Sequence, residues 1–313
     1  MSTALAILQA LFLVLAAPLV RGAVGRLKAR FQRRQGASVW RPYSDLIKLF
    51  QKEDLIPPTA SWIFRSAPRI VFAVIVTAAA FLPVFQTTAL AGHRGDFILF
   101  VYLLAIGRFF LMLGAMDGGS GFGGMGASRE ALVSTMAEGP LLLAFVAVSI
   151  VAHSPAIAGI VEWTVGQNFF DISAVHILAF TTLGIVSLAE AGRMPVDNPT
   201  THLELTMIHE GMVLEYSGPS LALVEWANAI KLNVLLSLLI ALFVPWGIAT
   251  QLTWQALVLA LGSYAVKLLL LAVLLAGIES VIAKLRMYLV PDFLGVATAL
   301  STLAVIFTMI AKR

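Results

Sequence analysis

EAGRMPVDNPTTHLELTMIHEGMVLEYSG, residues 190–218, is the one long polar interruption in a chain that is otherwise mostly apolar. It carries five of the 17 acidic residues (Glu190, Asp197, Glu204, Glu210 and Glu215), the histidines His202 and His209, and a single basic residue, Arg193. On either side the sequence returns to long apolar runs, Ile172–Ala189 before it and Trp226–Trp246 after it. A bilayer core takes roughly 20 apolar residues in helical form. The polar stretch therefore reads as a loop between two membrane spans, and its carboxylates are the first candidates for chemistry.

Composition supports that reading. Of 313 residues, 59% are hydrophobic and only 12% charged, against about 25% charged in an ordinary soluble domain. A soluble enzyme is excluded and a polytopic membrane protein indicated. Eight segments have the length and apolarity of spans: Ala4–Val20, Ala67–Gln86, Asp96–Met116, Ala131–Val151, Ile172–Ala189, Trp226–Trp246, Gln255–Gly277 and Leu289–Ile310. In lipid the backbone must bond to itself, so each span is a helix. The expected fold class is all-α: about eight transmembrane helices in a single membrane domain, residues 1–313. Ala4–Val20 has no positive residue before it and reads as the first span rather than a cleaved signal. The chain has no cysteine, which excludes disulfides, thiolate-bound zinc and a self-contained iron–sulfur cluster.

The distribution of Lys and Arg sets the expected orientation. The first loop carries Arg21, Arg26, Lys28, Arg30, Arg33, Arg34, Arg41, Lys48, Lys52 and Arg65, and the loop 152–171 carries none. The N-terminus is thus expected outside, with cytoplasmic loops at about 21–66, 117–130, 190–225 and 278–288. Within the first loop, Tyr43–Phe50 places Leu46, Ile47 and Phe50 on one helical face, as a short amphipathic helix ended by Pro57 and Pro58. The segment 117–130, DGGSGFGGMGASRE, reads as a glycine-rich loop. It lacks the lysine of a phosphate-binding loop, so close approach to a neighbouring helix or subunit is its expected use. No internal repeat is evident, which weakens a stand-alone secondary transporter.

Charges inside spans are expensive and point to ion paths. Arg108, Glu138, Lys231 and Lys267 lie within spans, and Glu190, Glu225 and Glu279 at span ends. Arg108 needs a carboxylate, with Glu138 and Glu130 the candidates. For Glu225 and Glu279 simple helix pairing is an equal reading. In the acidic stretch, Pro195 and Pro199 are expected to break the preceding helix, and Thr201-x-x-Glu204 has the form of a capping box opening another. On such a helix Glu204 would align with Glu215, and His202 with His209. Crowded, desolvated carboxylates raise one another's pKa, and histidine titrates near neutrality, as a proton relay requires. His202 and His209 lie too far apart along a helix to share a metal, and His209-Glu210 lacks the second histidine of a zinc protease motif.

These residues carry a resemblance. Arg33-Arg34, Tyr43-x-Asp45-Leu46-Ile47-Lys48-Leu49, Gly126-Ala127-Ser128-Arg129-Glu130, Glu138-Gly139-Pro140, Arg193-Met194-Pro195-Val196-Asp197, Glu204-Leu205 and Glu215-Tyr216-Ser217-Gly218 are similar to the H subunit (subunit 1) of respiratory complex I. Lys231-Leu232, Lys267-Leu268, Glu279-Ser280 and Ala283-Lys284-Leu285-Arg286 resemble more closely the membrane subunit of group 4 [NiFe] hydrogenases, such as formate hydrogenlyase. The resemblance implies a non-catalytic, multi-pass subunit of a prokaryotic cytoplasmic membrane that couples electron transfer in peripheral subunits to proton or sodium movement.

The implied relay set is Glu130, Glu138, Glu190, Asp197, Glu204 and Glu215. Lys231, Lys267, His202, His209 and Glu210 are further candidates from the charge pattern. The implied contacts to the peripheral arm are Arg33, Arg34, Asp45 and Lys48, with Arg129 and Arg193 beside them. The implied partners are hydrogenase large and small subunits, iron–sulfur subunits and antiporter-like membrane subunits in the lipid bilayer, with no nucleic acid. The chain itself is expected to hold no cofactor; the Ni–Fe centre and iron–sulfur clusters would sit in partners, and quinone is a candidate ligand. The alternative is the equivalent subunit of a quinone-reducing NADH dehydrogenase. The chain departs from the family at Gln35-Gly36-Ala37, at Val196 between Pro195 and Asp197, and at Thr200 and His202 where acids are common. It also gains about three residues around His209 and Glu210.

Overall fold

Residues 2–90, 97–167, 173–198, 207–250 and 253–311 are described by a computed structural model. Among them run eleven α-helices: α1 (Ser2–Phe31), α2 (Arg41–Phe50), α3 (Trp62–Ala79), α4 (Phe97–Asp117), α5 (Gly121–Ala152), α6 (Ile157–Val165), α7 (Ala174–Glu190), α8 (His209–Val213), α9 (Gly218–Phe243), α10 (Trp254–Val281) and α11 (Val290–Ala311). Seven, α1, α3, α4, α5, α9, α10 and α11, are long and apolar enough to cross a membrane, and α7 is an apolar helix of 17 residues. Each expected span therefore overlaps a helix, although α3 ends at Ala79, seven residues before the expected limit at Gln86.

Local chemistry sets several boundaries. Ser61 caps α3 by accepting from the Ile63 N–H, Ser120 caps α5 through Gly123 N, and Thr253 caps α10 through Ala256 N. α7 ends in a Schellman arrangement. Gly192, at φ 57°, donates to the Ala189 carbonyl and Arg193 donates to the Leu188 carbonyl. That cap, rather than Pro195 or Pro199, stops the helix.

Four expectations are corrected. α1 does not stop at Val20 but continues to Phe31. Val20 and Val24 are buried at i, i+4 spacing, so the basic residues of this segment ride on a packed helical face. The glycine-rich segment is mostly the first turns of α5, with only residues 118–120 outside helix. A Cβ on Gly126 would lie 2.9 Å from the Ile208 carbonyl oxygen; glycine lets α8 sit directly on α5. α2 ends at Phe50, seven residues short of Pro57. The loop 152–171 holds a buried helix, α6.

The long helices alternate in direction, so their ends collect on two faces. One face gathers the end of α1, α2, the start of α3, the α4–α5 junction, residues 191–198 and 207–217, and the α10–α11 connection. Bonds tie it together: Ser61 N donates to Asp117 Oδ2 at 2.7 Å, Leu55 N to Ser217 Oγ at 2.7 Å, and Leu285 N to the Pro195 carbonyl at 2.9 Å. On the opposite face, buried Gln9 accepts from Val84, Phe85 and Gln86 N–H, and Ala249 N donates to the Phe85 carbonyl. α9 is the hub. It contacts α1, α2, α3, α6, α7, α8 and α10 and is buried along most of its length. α10 lies at the rim, packed mainly on α1 with most of its surface exposed.

A buried ion-pair cluster and its connections

Arg108 is buried on α4 and could not stay charged without partners. It has two. Its Nη2 lies 2.7 Å from Glu138 Oε1 on α5, and its Nη1 bonds Glu190 Oε1 at the end of α7. Glu190 is itself buried and also faces Lys231 Nζ on α9 at 3.3 Å. Among the described residues, Glu190 Oε2 and Arg108 Nε each have no hydrogen-bond partner. Two cations and two carboxylates from four helices thus balance to zero. Such an arrangement is costly to break and retains polar atoms for water to bond. Of the two carboxylates expected to pair with Arg108, Glu138 is correct. Glu130 is buried on α5 but is not paired with Arg108. The sequence did not reveal Glu190 as the bridge.

A second knot lies beside the first. Glu279 on α10, 3% exposed, holds Arg193 at 3.2 Å and Lys28 of α1 at 3.1 Å. A third centres on buried Asp197, whose Oδ1 takes Lys284 at 2.6 Å and whose Oδ2 accepts the His209 backbone N–H at 3.0 Å. A fourth joins Arg21 of α1 to Glu225 of α9. Glu210 on α8 lies near that pair. Burial raises its pKa and the charge of Glu225 raises it further, against the pull of His209 and Arg21.

Glu215 lies past the end of α8 and accepts from Ser120 Oγ. Next to it, Tyr216 stacks on Phe64 at 4.5 Å, with its hydroxyl buried against Gly114 and without a hydrogen-bond partner among the described residues. Burial pushes that phenol up, and the nearby charges of Asp117 and Glu215 add to it.

The expected helix through Glu204 and Glu215 does not form as a single element. α8 spans five residues, and Met207 and Ile208 before it are not helical. Glu204, His202, Thr200 and the capping box lie outside the described residues. His209 is held by its backbone rather than poised by its ring. Lys267 stands apart from the cluster, bonded to the Trp246 carbonyl beyond the other end of α9.

Of the expected docking residues, Arg33, Arg34 and Lys48 are exposed, and Asp45 pairs with Arg41 at 2.9 Å. Arg129 and Arg193 instead brace the chain itself. Arg129 donates to the Met207 carbonyl at 2.8 Å, and Arg193 binds Glu279. Sequence reading missed the roles of Arg21, Lys28 and Lys284, whereas the helix pairing it held open for Glu225 and Glu279 is what they make. The signal for Lys28 was present: it lies seven residues after Arg21, two turns along the same face of α1.

Among the described residues no three His, Asp or Glu side chains assemble as a metal site. The fold and this site define a multi-pass helical membrane protein with a neutralised, buried string of charges at one face. The chain belongs to the NADH dehydrogenase family, which residues 3–310 match.

Among its relatives is the hydrogenase-4 component C of Escherichia coli, 33% identical over 96% of this chain and 94% of that protein. Formate hydrogenlyase subunit 4 of the same organism is 34% identical over 93% of this chain and 94% of that one. The H subunit of an NADH-quinone oxidoreductase from Rubrobacter xylanophilus is 27% identical over 64% of this chain and 60% of that one. A chain of the membrane-bound sulfane sulfur reductase, an archaeal respiratory membrane complex, shares the fold, with a TM-score of 0.83, 20% identity and 98% of this chain and 100% of that one covered.

Proposed function

We propose that this chain is the membrane anchor and ion-path subunit of a group 4 hydrogenase-like complex in a prokaryotic cytoplasmic membrane, and that Glu138, Arg108, Glu190 and Lys231 form the core of its path. The observation that carries the reading is the neutral four-charge cluster inside the helix bundle. A protein that needed only stability would do as well or better with packed apolar residues there. The Glu279, Asp197 and Glu225 knots connect that core to the face bearing residues 191–198 and 207–217, where Glu210 and Glu215 lie. On the positive-inside argument this face is cytoplasmic, and exposed Arg33, Arg34 and Lys48 sit where a soluble electron-transfer arm would dock.

Protonation of Glu190 would leave Arg108 and Lys231 under-neutralised, so a proton taken there is passed on rather than held. Glu138, whose side chain is 37% exposed, is placed to hand charge to an adjacent membrane subunit. The full-length similarity to hydrogenase components favours this complex over the NADH–quinone alternative.

The test is Glu190→Gln and Glu138→Gln in the complete complex, reconstituted in vesicles, with ion movement and electron transfer measured together. Loss of ion movement per electron with electron transfer retained is expected. An unchanged ratio in both variants removes the cluster from the path.

A further inference from the structure

α9 carries a second line of polar groups that faces α1 and α10 rather than α7. Glu225, Ala229, Asn233 and Ser237 repeat at i+4 and so share one face. The first member pairs with Arg21. A cavity of about 300 Å³, lined by Arg21, Asp45, Glu225 and apolar side chains, runs from this pair to Pro18 and Ala229.

One turn deeper, Asn233 is fully buried and donates from Nδ2 to the Leu13 carbonyl at 2.9 Å. Pro18 lies inside α1 and has no N–H for the Val14 carbonyl four residues back. Trp226 Nε1 fills that role at 3.1 Å. Asn233 thus bonds the same loosened stretch of α1, and its Oδ1 is left buried without a partner. Another turn on, Ser237 Oγ lies 2.7 Å from the Tyr264 hydroxyl of α10 and 2.6 Å from the Asn233 carbonyl. Lys267 is three residues along α10 from Tyr264 and reaches the Trp246 carbonyl near the opposite face. Polar groups thus line the α1–α9–α10 seam from one face of the bundle to the other.

We infer that Asn233, Ser237 and Tyr264 form a water-assisted proton route through this seam, joining the Glu225–Arg21 cavity to Lys267. The inference rests on the ion-path reading and adds a branch distinct from the Glu190 cluster. The resting arrangement has Ser237 donating to the Asn233 carbonyl and Tyr264 donating to Ser237. When the Ser237 hydroxyl turns off the carbonyl, Ser237 gives its proton to Tyr264 as Tyr264 gives its own toward Lys267. Ser237 regains a proton from water held at Asn233 Oδ1, and that water takes one in turn from water in the Glu225–Arg21 cavity, supplied from the face on which the cavity opens, so each hydroxyl and each water gains one proton for the one it loses and stays neutral. Lys267 accepts after releasing its own proton at the far face.

Because the chain lacks cysteine, a single introduced thiol reports water at one position. In the complete complex in native membranes, Asn233→Cys and Ser237→Cys are compared with Val234→Cys and Leu238→Cys, which are equally buried on other faces of α9. Reaction of this chain with N-ethylmaleimide needs the thiolate, and hence water, so the first pair is expected to label at least about tenfold faster. Ser237→Ala and Tyr264→Phe are expected to lower ion movement per electron without slowing electron transfer. Equal labelling of all four positions overturns the route and leaves the Glu190 test untouched. Fast labelling at positions 233 and 237 with an unchanged ion ratio in Ser237→Ala and Tyr264→Phe also overturns it, as a wet seam that carries no protons. Failure of the Glu190 variants alone would remove the first path and not this one.

Discussion

At the scale of single residues, the decisive fact is that charge in this bundle is balanced locally. Glu190 touches both Arg108 and Lys231, so removing its charge leaves two buried cations facing Glu138 alone. Breaking one side of a buried ion pair typically costs about 3–5 kcal/mol. Glu190→Gln is expected to lower the thermal midpoint of the detergent-solubilised chain by an amount in keeping with that range. Glu190→Gln combined with Lys231→Met restores neutrality and is expected to recover part of the loss, measured as a double-mutant cycle on unfolding. A double variant as unstable as the sum of the singles would show that the two groups do not interact.

At the scale of elements, α8 depends on its neighbours. It is five residues long, too short to persist without tertiary support. Its anchors are the bed that Gly126 leaves on α5, the Arg129 bond to the Met207 carbonyl and the Asp197 bond to His209 N. Glu210 has its pKa raised by burial and by Glu225. A raised carboxylate favours the folded state fully below its ordinary range, near pH 4.5, and that contribution is lost as pH climbs through the raised value. Amide protection over residues 207–217 is therefore expected to fall with rising pH across that window, and Glu210→Gln to flatten the dependence. Hydrogen exchange followed by mass spectrometry reads this directly, and a pH-independent wild-type profile would refute it.

The same element shows where sequence reading ends. The long apolar helices were legible because length and hydropathy alone define them. Arg108, Glu138 and Lys231 were legible as charges within the bundle because ions inside apolar runs stand out. Beyond Arg108 with Glu138, the pairings were not, since Arg108–Glu190 and Asp197–Lys284 join residues 82 and 87 positions apart that only packing brings together. The single helix expected through Glu215 failed because a capping box and spacing carry no information about the break at Met207 and Ile208. The glycines of α5 read as a loop because propensity penalises them in helices. Here the close approach of Ile208 to Gly126, and of Ala115 and Glu215 to Gly123, outweighs that penalty.

At the scale of the whole molecule, one face is built to be covered. α2 lies on it with no residue fully buried, and Arg34, Lys48 and Ile47 point outward. Arg33 follows α1 in a left-handed conformation at φ 54°, which most side chains disfavour. Charged groups at a rim act mainly through steering and salt-sensitive attraction. If this is where the soluble arm seats, its docking surface is acidic, and charge reversal at Arg34 and Lys48 should repel it. Arg34→Glu with Lys48→Glu is expected to release the peripheral subunits from isolated membranes at lower salt than wild type, while this chain stays inserted at normal abundance. Both residues are exposed and make no ion pair within the described chain, so lost folding cannot mimic the result. The same release profile as wild type over a salt titration would place the arm elsewhere. That outcome would also remove the support these residues give to a cytoplasmic assignment of this face.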